Sequence, residues 1–238
     1  MSDLLPQPPP SVPPPPPGPE ALRSRRKMKW ILKLGIGCIA LLLFGVLFSP
    51  FVFRSKKSGN LIEAISNAKQ VGLSLQEFDA EYGRFPDATT APVVKAKTGT
   101  PLSLASGSSN QLFRQLIATV LKTERPFYAK ASFTHKPDDD FTDDAHAIAP
   151  GECGFAYVSG LTSSDDPAAP LVMAPIIRGT TRFDQKVMDG KAVILRVDNS
   201  VTALTIDGAG HVILNGMDLF DPRQPFWNGK VPDLRWPE

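Results

Sequence analysis

Carboxylate side chains are concentrated in one short polar stretch of the sequence, residues 134–150, with Glu152 just beyond it. Oxygen ligands at this density suit Ca²⁺, which binds carboxylates, carbonyls and water. The spacing is not that of an EF-hand, and runs of charge are most often solvated loops. Two interpretations therefore stay open, a calcium site and a plain acidic surface. The candidate calcium ligands are Asp138, Asp139, Asp140, Asp143 and Asp144.

The other side chains that could take part in catalysis or metal binding are the three histidines, His135, His146 and His211. His135 and His146 flank the aspartates, so a transition-metal site is an alternative for the same stretch. A hydrolase needs a nucleophile, a histidine and a carboxylate in contact, and Ser159 and Ser200 lack a nucleophile-elbow context. The sequence contains no phosphate-binding loop, dinucleotide fingerprint or zinc-protease motif. We therefore nominate no catalytic or cofactor-binding residue and expect a protein that is not an enzyme.

The longest apolar segment runs from residue 34 to residue 53 and carries no charged side chain. As a helix, these twenty residues would span about 30 Å, the thickness of a bilayer's hydrocarbon core. Trp30 and Lys33 suit the membrane interface, so the predicted transmembrane helix covers residues 30–53. A cleaved signal peptide is the alternative. Its apolar region would be shorter and would lead into small residues, whereas this run ends in aromatic and β-branched residues.

Basic residues are more frequent before the apolar run than after it. The positive-inside rule therefore predicts a cytoplasmic N-terminus and an extracytoplasmic C-terminal part. Residues 1–29, a proline-rich tail with a basic cluster, are predicted to be disordered, and a ligand for a partner's aromatic groove is the alternative. Residues 54–59 are interpreted as a juxtamembrane linker, and residues 60–238 as one extracytoplasmic domain.

Composition narrows the function classes further. The net charge is +2, and much of the basic excess lies beside the apolar run, so the chain shows no sign of nucleic-acid binding. The two cysteines are Cys38, within the apolar run, and Cys153, outside it. They lie on different sides of the predicted membrane boundary, so we expect no disulfide within one subunit.

The hydrophobic periodicity of residues 60–238 places helices first and strands afterwards, which predicts an α+β domain with an antiparallel sheet. Residues 58–60 are interpreted as the N-cap of a long amphipathic helix that ends at Gly83. Residues 87–108 are rich in threonine, serine, alanine and proline and are expected to form a loop. A second, short helix is predicted over residues 109–123.

Short β-rich segments separated by turn signals follow the helices. The tail over residues 221–238 is rich in proline and glycine and is expected to lie across the sheet without forming an element. Asp-Gly pairs at 189–190 and 207–208 are hairpin-turn signals. The predicted strands are Gly154–Ser159, Leu171–Arg178, Lys191–Val197, Thr202–Asp207 and His211–Asn215.

A transmembrane helix, then an amphipathic helix, then an antiparallel sheet resembles the plan of type IV pilins and type II secretion pseudopilins. Residues 67–86 are similar to a prepilin-type stretch that reads lysine-glutamine-hydrophobic-glycine-leucine and then tyrosine-glycine-x-phenylalanine-proline. Residues 191–201 and 206–212 resemble the strand pair near the end of those proteins. The resemblance covers residues 34–86 and, more loosely, 150–235.

The resemblance implies a pilin-like fold with an N-terminal transmembrane helix, in a single-pass protein of the bacterial inner membrane whose C-terminal domain is periplasmic. It implies a structural or interaction role in a type II secretion or type IV pilus-like apparatus. The partners would be the lipid bilayer and other pilin-like subunits or secretion-apparatus proteins. Prepilins carry a Gly-Phe-type processing site and a glutamate near the fifth mature position, and this chain has neither beside its apolar run. A membrane-tethered periplasmic binding module or enzyme of unknown ligand is therefore the alternative.

Overall fold

The computed structural model describes residues 56–238, in which three α-helices precede seven short strands. This order confirms the predicted α+β class with an antiparallel sheet. Two 3₁₀ turns, Arg125–Phe127 and Pro225–Trp227, lie between these elements. The helices are α1 (56–82), α2 (Ala91–Thr98) and α3 (Ser109–Thr119), and the strands are β1 (Ala156–Ser159), β2 (Pro170–Ala174), β3 (Lys191–Arg196), β4 (Val201–Thr205), β5 (Ile213–Leu214), β6 (Met217–Asp218) and β7 (Asp233–Arg235).

The predicted tail, 1–29, and the predicted transmembrane helix, 30–53, lie outside the described residues. Within residues 56–238, no helix combines the length and the apolar character needed to cross a bilayer. α1 is already helical at residue 56, so the N-cap interpretation of residues 58–60 is wrong. The helix passes through Gly59 without a left-handed residue, at the usual glycine cost of about 1 kcal/mol relative to alanine.

α1 lies on the sheet through one apolar face and a close backbone approach. A Cβ on Gly72 would lie 2.0 Å from Asn199 Oδ1 and 2.8 Å from Leu195 Cδ1, so the helix meets the β3–β4 hairpin more closely than a side chain would allow. The helix ends as predicted at Gly83, which has a φ of 76° and donates its N–H to Asp79 O at 2.7 Å. The fully buried residues of α1 include Ala64, Ala68, Val71, Leu75 and Phe78.

Five strands form one antiparallel sheet in the order β4-β3-β2-β1-β7, and β5 pairs with β6 in a separate hairpin. The predicted segments match β1 to β5, but β2 ends at Ala174 rather than residue 178 because Pro175 offers no N–H to the ladder. The expectation that the tail forms no element is wrong. β7 pairs with β1 and sets buried Leu234 opposite Val158, which completes the hydrogen bonds of an otherwise open edge.

The stretch 87–108 is not all loop, because it contains α2. The Asp87 carboxylate accepts the backbone N–H groups of Thr89 at 2.7 Å and Thr90 at 3.0 Å, just ahead of the helix. Val94 is fully buried on the inner side of α2, and Gly99 ends the helix with a φ of 63°. Local turn chemistry at both ends and one buried contact therefore form a helix that periodicity does not reveal.

α3 begins at Ser109 as predicted and differs from its prediction at the C-terminal end. Its N-cap is Ser108, whose hydroxyl accepts a first-turn backbone N–H at 3.2 Å. It ends at Thr119, four residues earlier than predicted. The Thr123 hydroxyl and the Glu124 N–H instead donate to Asp139 Oδ1 at 2.7 and 2.8 Å. The acidic loop thus binds the residues that would otherwise prolong the helix.

Candidate functional site

Three carboxylates, those of Glu124, Asp138 and Glu152, lie close together. One oxygen of each lies within 4.8 Å of the oxygens from the other two. Glu124 and Glu152 are only 1% and 3% exposed, whereas Asp138 reaches solvent. Across residues 56–238, this is the one group of three or more histidine, cysteine, aspartate or glutamate side chains close enough to hold a metal ion. We call these three residues the carboxylate cluster.

Backbone amides hold the two buried carboxylates of the cluster. Glu124 directly precedes the 3₁₀ turn that follows α3, and its Oε1 accepts the N–H of Ile148. Glu152 lies shortly before β1 and accepts the N–H of Asp138 at 3.0 Å and that of Ala149 at 2.8 Å. The main chain between α3 and β1 thus fixes both carboxylates.

Glu124 is the unusual member of the cluster because half of its carboxylate has no partner. Oε2 is buried and makes no hydrogen bond. Burial raises the pKa of Glu124 to about 7; the hydrogen bond from Ile148 opposes this rise, and the charges of Glu152 and Asp138 add to it. No member of the cluster forms an ion pair within the part of the chain that the structure describes. A carboxylate in this environment can hold a proton at neutral pH or ligate a hard cation.

The five aspartates predicted as calcium ligands make separate local contacts. Asp138 is the one that joins the carboxylate cluster. Asp139 accepts hydrogen bonds from Thr123 and Glu124, just after α3. Asp140 and Asp143 each accept a backbone N–H two residues further on, at 3.1 and 2.9 Å, and Asp144 lies beside a buried arginine of α3. The structure does not bring the five aspartates together, and calcium binding by them as a set stays a prediction.

The three histidines do not enter the carboxylate cluster. His146 Nδ1 lies 2.8 Å from Asp143 Oδ1, and this hydrogen bond raises the pKa of the imidazole. His211 Nδ1 lies 2.7 Å from Asp218 Oδ2, and His135 is exposed. None of them joins a group of three metal-ligating side chains within residues 56–238. The structure therefore does not bring these histidines together with the aspartates, as a transition-metal site would require.

Sequence reasoning does not find Glu124, because a single glutamate ahead of an Arg-Pro pair indicates only the end of a helix. Its burial arises when the loop that follows α3 folds back and sets Ile148 against its carboxylate. Glu152 gives a weak signal, since it stands outside the aspartate run and just ahead of a predicted strand.

A cavity of about 420 Å³ lies where the end of β1 meets the tail that carries β7. Asp165, Asp166 and Lys230 contribute charged groups to its wall, and Trp227 contributes an aromatic one. The indole of Trp227 is fixed, because its Nε1 donates to Leu219 O at 2.8 Å. The lining thus combines charged, polar and aromatic side chains, which offers a surface for binding a ligand.

No protein-family model, curated protein or solved structure matches this chain. The resemblance of residues 34–86 to prepilin-type proteins therefore rests on the order of elements and on short motifs.

Proposed function

We propose that this chain is a structural and interaction protein anchored in the bacterial inner membrane, a pilin-like component of a type II secretion or type IV pilus-like apparatus, or a derivative of one. One observation carries the proposal. The uncharged apolar run 34–53 is followed by α1, which is helical from residue 56 of the described chain and lies on an antiparallel sheet. In such a protein the apolar run anchors the chain, and α1 presents a surface outside the membrane.

α1 also exposes two large aliphatic side chains, in addition to the apolar face that it buries. Ile62 and Leu73 are 65% and 63% exposed. They are eleven residues apart, which is about three helical turns, so they lie on the same side of the helix. Lys69 lies between them on that side and is also exposed. Large aliphatic side chains exposed along a helix that follows a membrane anchor favour contact with a second copy of this chain.

Cross-linking of the full chain in native membranes tests this proposal. The double substitution Ile62→Lys and Leu73→Lys should reduce cross-linking between copies several-fold, because it sets like charges against each other along the helix. Val231→Lys is the matched control, since Val231 is an apolar side chain that is 78% exposed and lies far from α1 in sequence. Undiminished cross-linking of the α1 variant, with wild-type insertion and thermal stability, would contradict the proposal.

A membrane-tethered periplasmic binding module is the second candidate. The cavity beside Trp227 favours it, because it combines charged and aromatic groups within about 420 Å³. The absence of a prepilin-type processing motif beside the apolar run also favours a module that uses its helix only as an anchor. The two candidates differ in what they require of the apolar run: subunit assembly needs specific packing of that helix, and a tether needs only its hydrophobicity.

A further inference from the structure

The carboxylate cluster brings negative charge together without a matching positive charge. Glu124, Asp138 and Glu152 take part in no ion pair within the described residues, whereas neighbouring Asp139 lies 3.3 Å from Arg125 Nε. Glu124 Oε2 is buried, has no hydrogen-bond partner and belongs to a carboxylate of this group. An unpaired buried carboxylate is unfavourable unless a proton or a cation neutralises it.

We propose that the carboxylate cluster is a calcium-binding site with Glu124, Asp138 and Glu152 as its protein ligands. Calcium takes oxygen ligands at 2.3–2.6 Å, so two of its ligands are at most about 5 Å apart. The three oxygens lie within 4.8 Å of one another, which satisfies this limit as they stand. The donor set holds oxygen alone, which suits a hard cation rather than zinc or copper. Magnesium needs shorter bonds and octahedral geometry and keeps several waters, so it fits the site less well.

The bound ion would link three separate segments of the chain. Glu124 follows α3, Asp138 lies in the acidic loop, and Glu152 precedes β1. Calcium would therefore fix the segment between α3 and β1 at both of its ends and near its middle. The same segment contacts α1 through the ion pair between Lys136 and Glu63. Calcium would thus stabilise the surface that the acidic loop presents beside α1.

Thermal unfolding and calorimetric titration of the detergent-extracted full chain, stripped with EDTA, test this proposal. Calcium at about 100 times its dissociation constant should raise the midpoint of unfolding by about 5–10 °C, and calorimetry should give one site per chain. Magnesium at the same concentrations should give a clearly smaller shift. No binding of millimolar calcium, or an equal shift with magnesium, would overturn the assignment.

Three amide substitutions locate the site. Glu124→Gln should abolish the calcium-dependent shift while leaving the EDTA-treated protein at least as stable as wild type, because it removes an unpaired buried charge. Asp138→Asn changes an exposed ligand, so the substitution should not impair folding. It should weaken calcium binding about tenfold or more. Asp143→Asn is the matched control, because it removes the same charge from the same loop outside the cluster, and it should bind calcium as wild type does. Equal weakening by Asp138→Asn and Asp143→Asn would show a diffuse acidic surface and contradict the site.

Discussion

Arg114 attaches the acidic loop to α3 mainly through main-chain carbonyl groups. It is 6% exposed, its Nε donates to Ala147 O at 2.8 Å, and its Nη2 donates to Asp144 O at 2.7 Å. The Asp144 carboxylate lies 3.4 Å from Nη1 and is half exposed. Replacing Arg114 by alanine should lower the free energy of unfolding by about 2–3 kcal/mol, because it leaves the buried carbonyl of Ala147 and the partly buried carbonyl of Asp144 without this donor.

Asp144→Asn is the control for this prediction. It removes the charge and keeps the backbone carbonyl, so it should cost less than about 1 kcal/mol, as expected for a half-exposed ion pair. Urea denaturation of the two variants measures the difference. Equal losses in both would mean that the ion pair, rather than the carbonyl contacts, holds the loop.

Cys153 should be chemically inert in the folded protein. Its side chain is fully buried, and burial raises the pKa of the thiol to about 12. The thiolate is the reactive form, so alkylation by iodoacetamide at pH 8 should be undetectable in the native state and complete after denaturation. Peptide mass mapping checks this and distinguishes Cys153 from Cys38. Rapid native labelling of Cys153 would show that the region around α3 and β1 opens readily.

At the residue scale, the sequence shows where acidic side chains are numerous but not which of them come together in the fold. The aspartates between 138 and 144 are visible as a run, and most of them serve turns of their own loop. Glu124 and Glu152 are 28 positions apart and meet only because the intervening chain folds back on itself. Periodicity reports which face of an element is buried, and neither glutamate lies within a helix or strand.

At the element scale, two glycines of α1 should respond to alanine in opposite ways. No atom lies within 4 Å of the position that a Cβ on Gly59 would take, so Gly59→Ala should raise the free energy of unfolding by about 0.5–1 kcal/mol. At Gly72 the Cβ would meet Asn199 and Leu195, so Gly72→Ala should lower it by about 1–3 kcal/mol. Chemical denaturation of both variants checks the signs. Stabilisation by both substitutions would mean that helix propensity alone governs these positions.

Asn199→Gly should partly rescue Gly72→Ala. Asn199 has a φ of 65°, which glycine adopts freely, and its buried Oδ1 makes no hydrogen bond. Removing its side chain therefore clears the closest clash without losing a hydrogen bond of that oxygen. The double variant should recover about half of the lost stability, with Leu195 accounting for the rest. Strictly additive effects in a double-mutant cycle would exclude this contact as the cause.

The elements that the sequence predicts are those whose apolar pattern is long enough to stand out. α1 and β1 to β5 follow their helical or β-rich patterns, although their ends move by a few residues. α2 is missed because it buries a single apolar side chain, Val94, and depends on the turn formed by Asp87. β7 is missed because its three residues become a strand only when the edge of β1 is present to pair with them.

At the scale of the whole molecule, the tail closes the fold by returning to α3. The N–H of Ser109 donates to Trp236 O at 3.0 Å, and the N–H of Glu238 donates to Asn110 Oδ1 at 2.9 Å. The hydroxyl of Tyr157 reaches back to Pro86 O at 2.9 Å. These hydrogen bonds link the C-terminal tail to the start of α3, and β1 to the turn after α1. Local patterns in the sequence carry no trace of such long-range contacts.

The proposed role in an assembly makes a prediction about the apolar run as a whole. Scrambling residues 34–53 keeps their composition, so the chain should still insert, because insertion depends on hydropathy. Packing between helices in a membrane depends on which small and large side chains face each other, and scrambling destroys that order. A pilin-like subunit should therefore lose cross-linking between copies, while the scrambled form of a tethered binding module should cross-link as wild type does.

The intact mass and N-terminal sequence of the extracted protein supply the complementary measurement. A new N-terminus just before Leu34 would indicate pilin-type maturation, whereas an uncleaved chain whose scrambled form cross-links as wild type does would favour the tethered module.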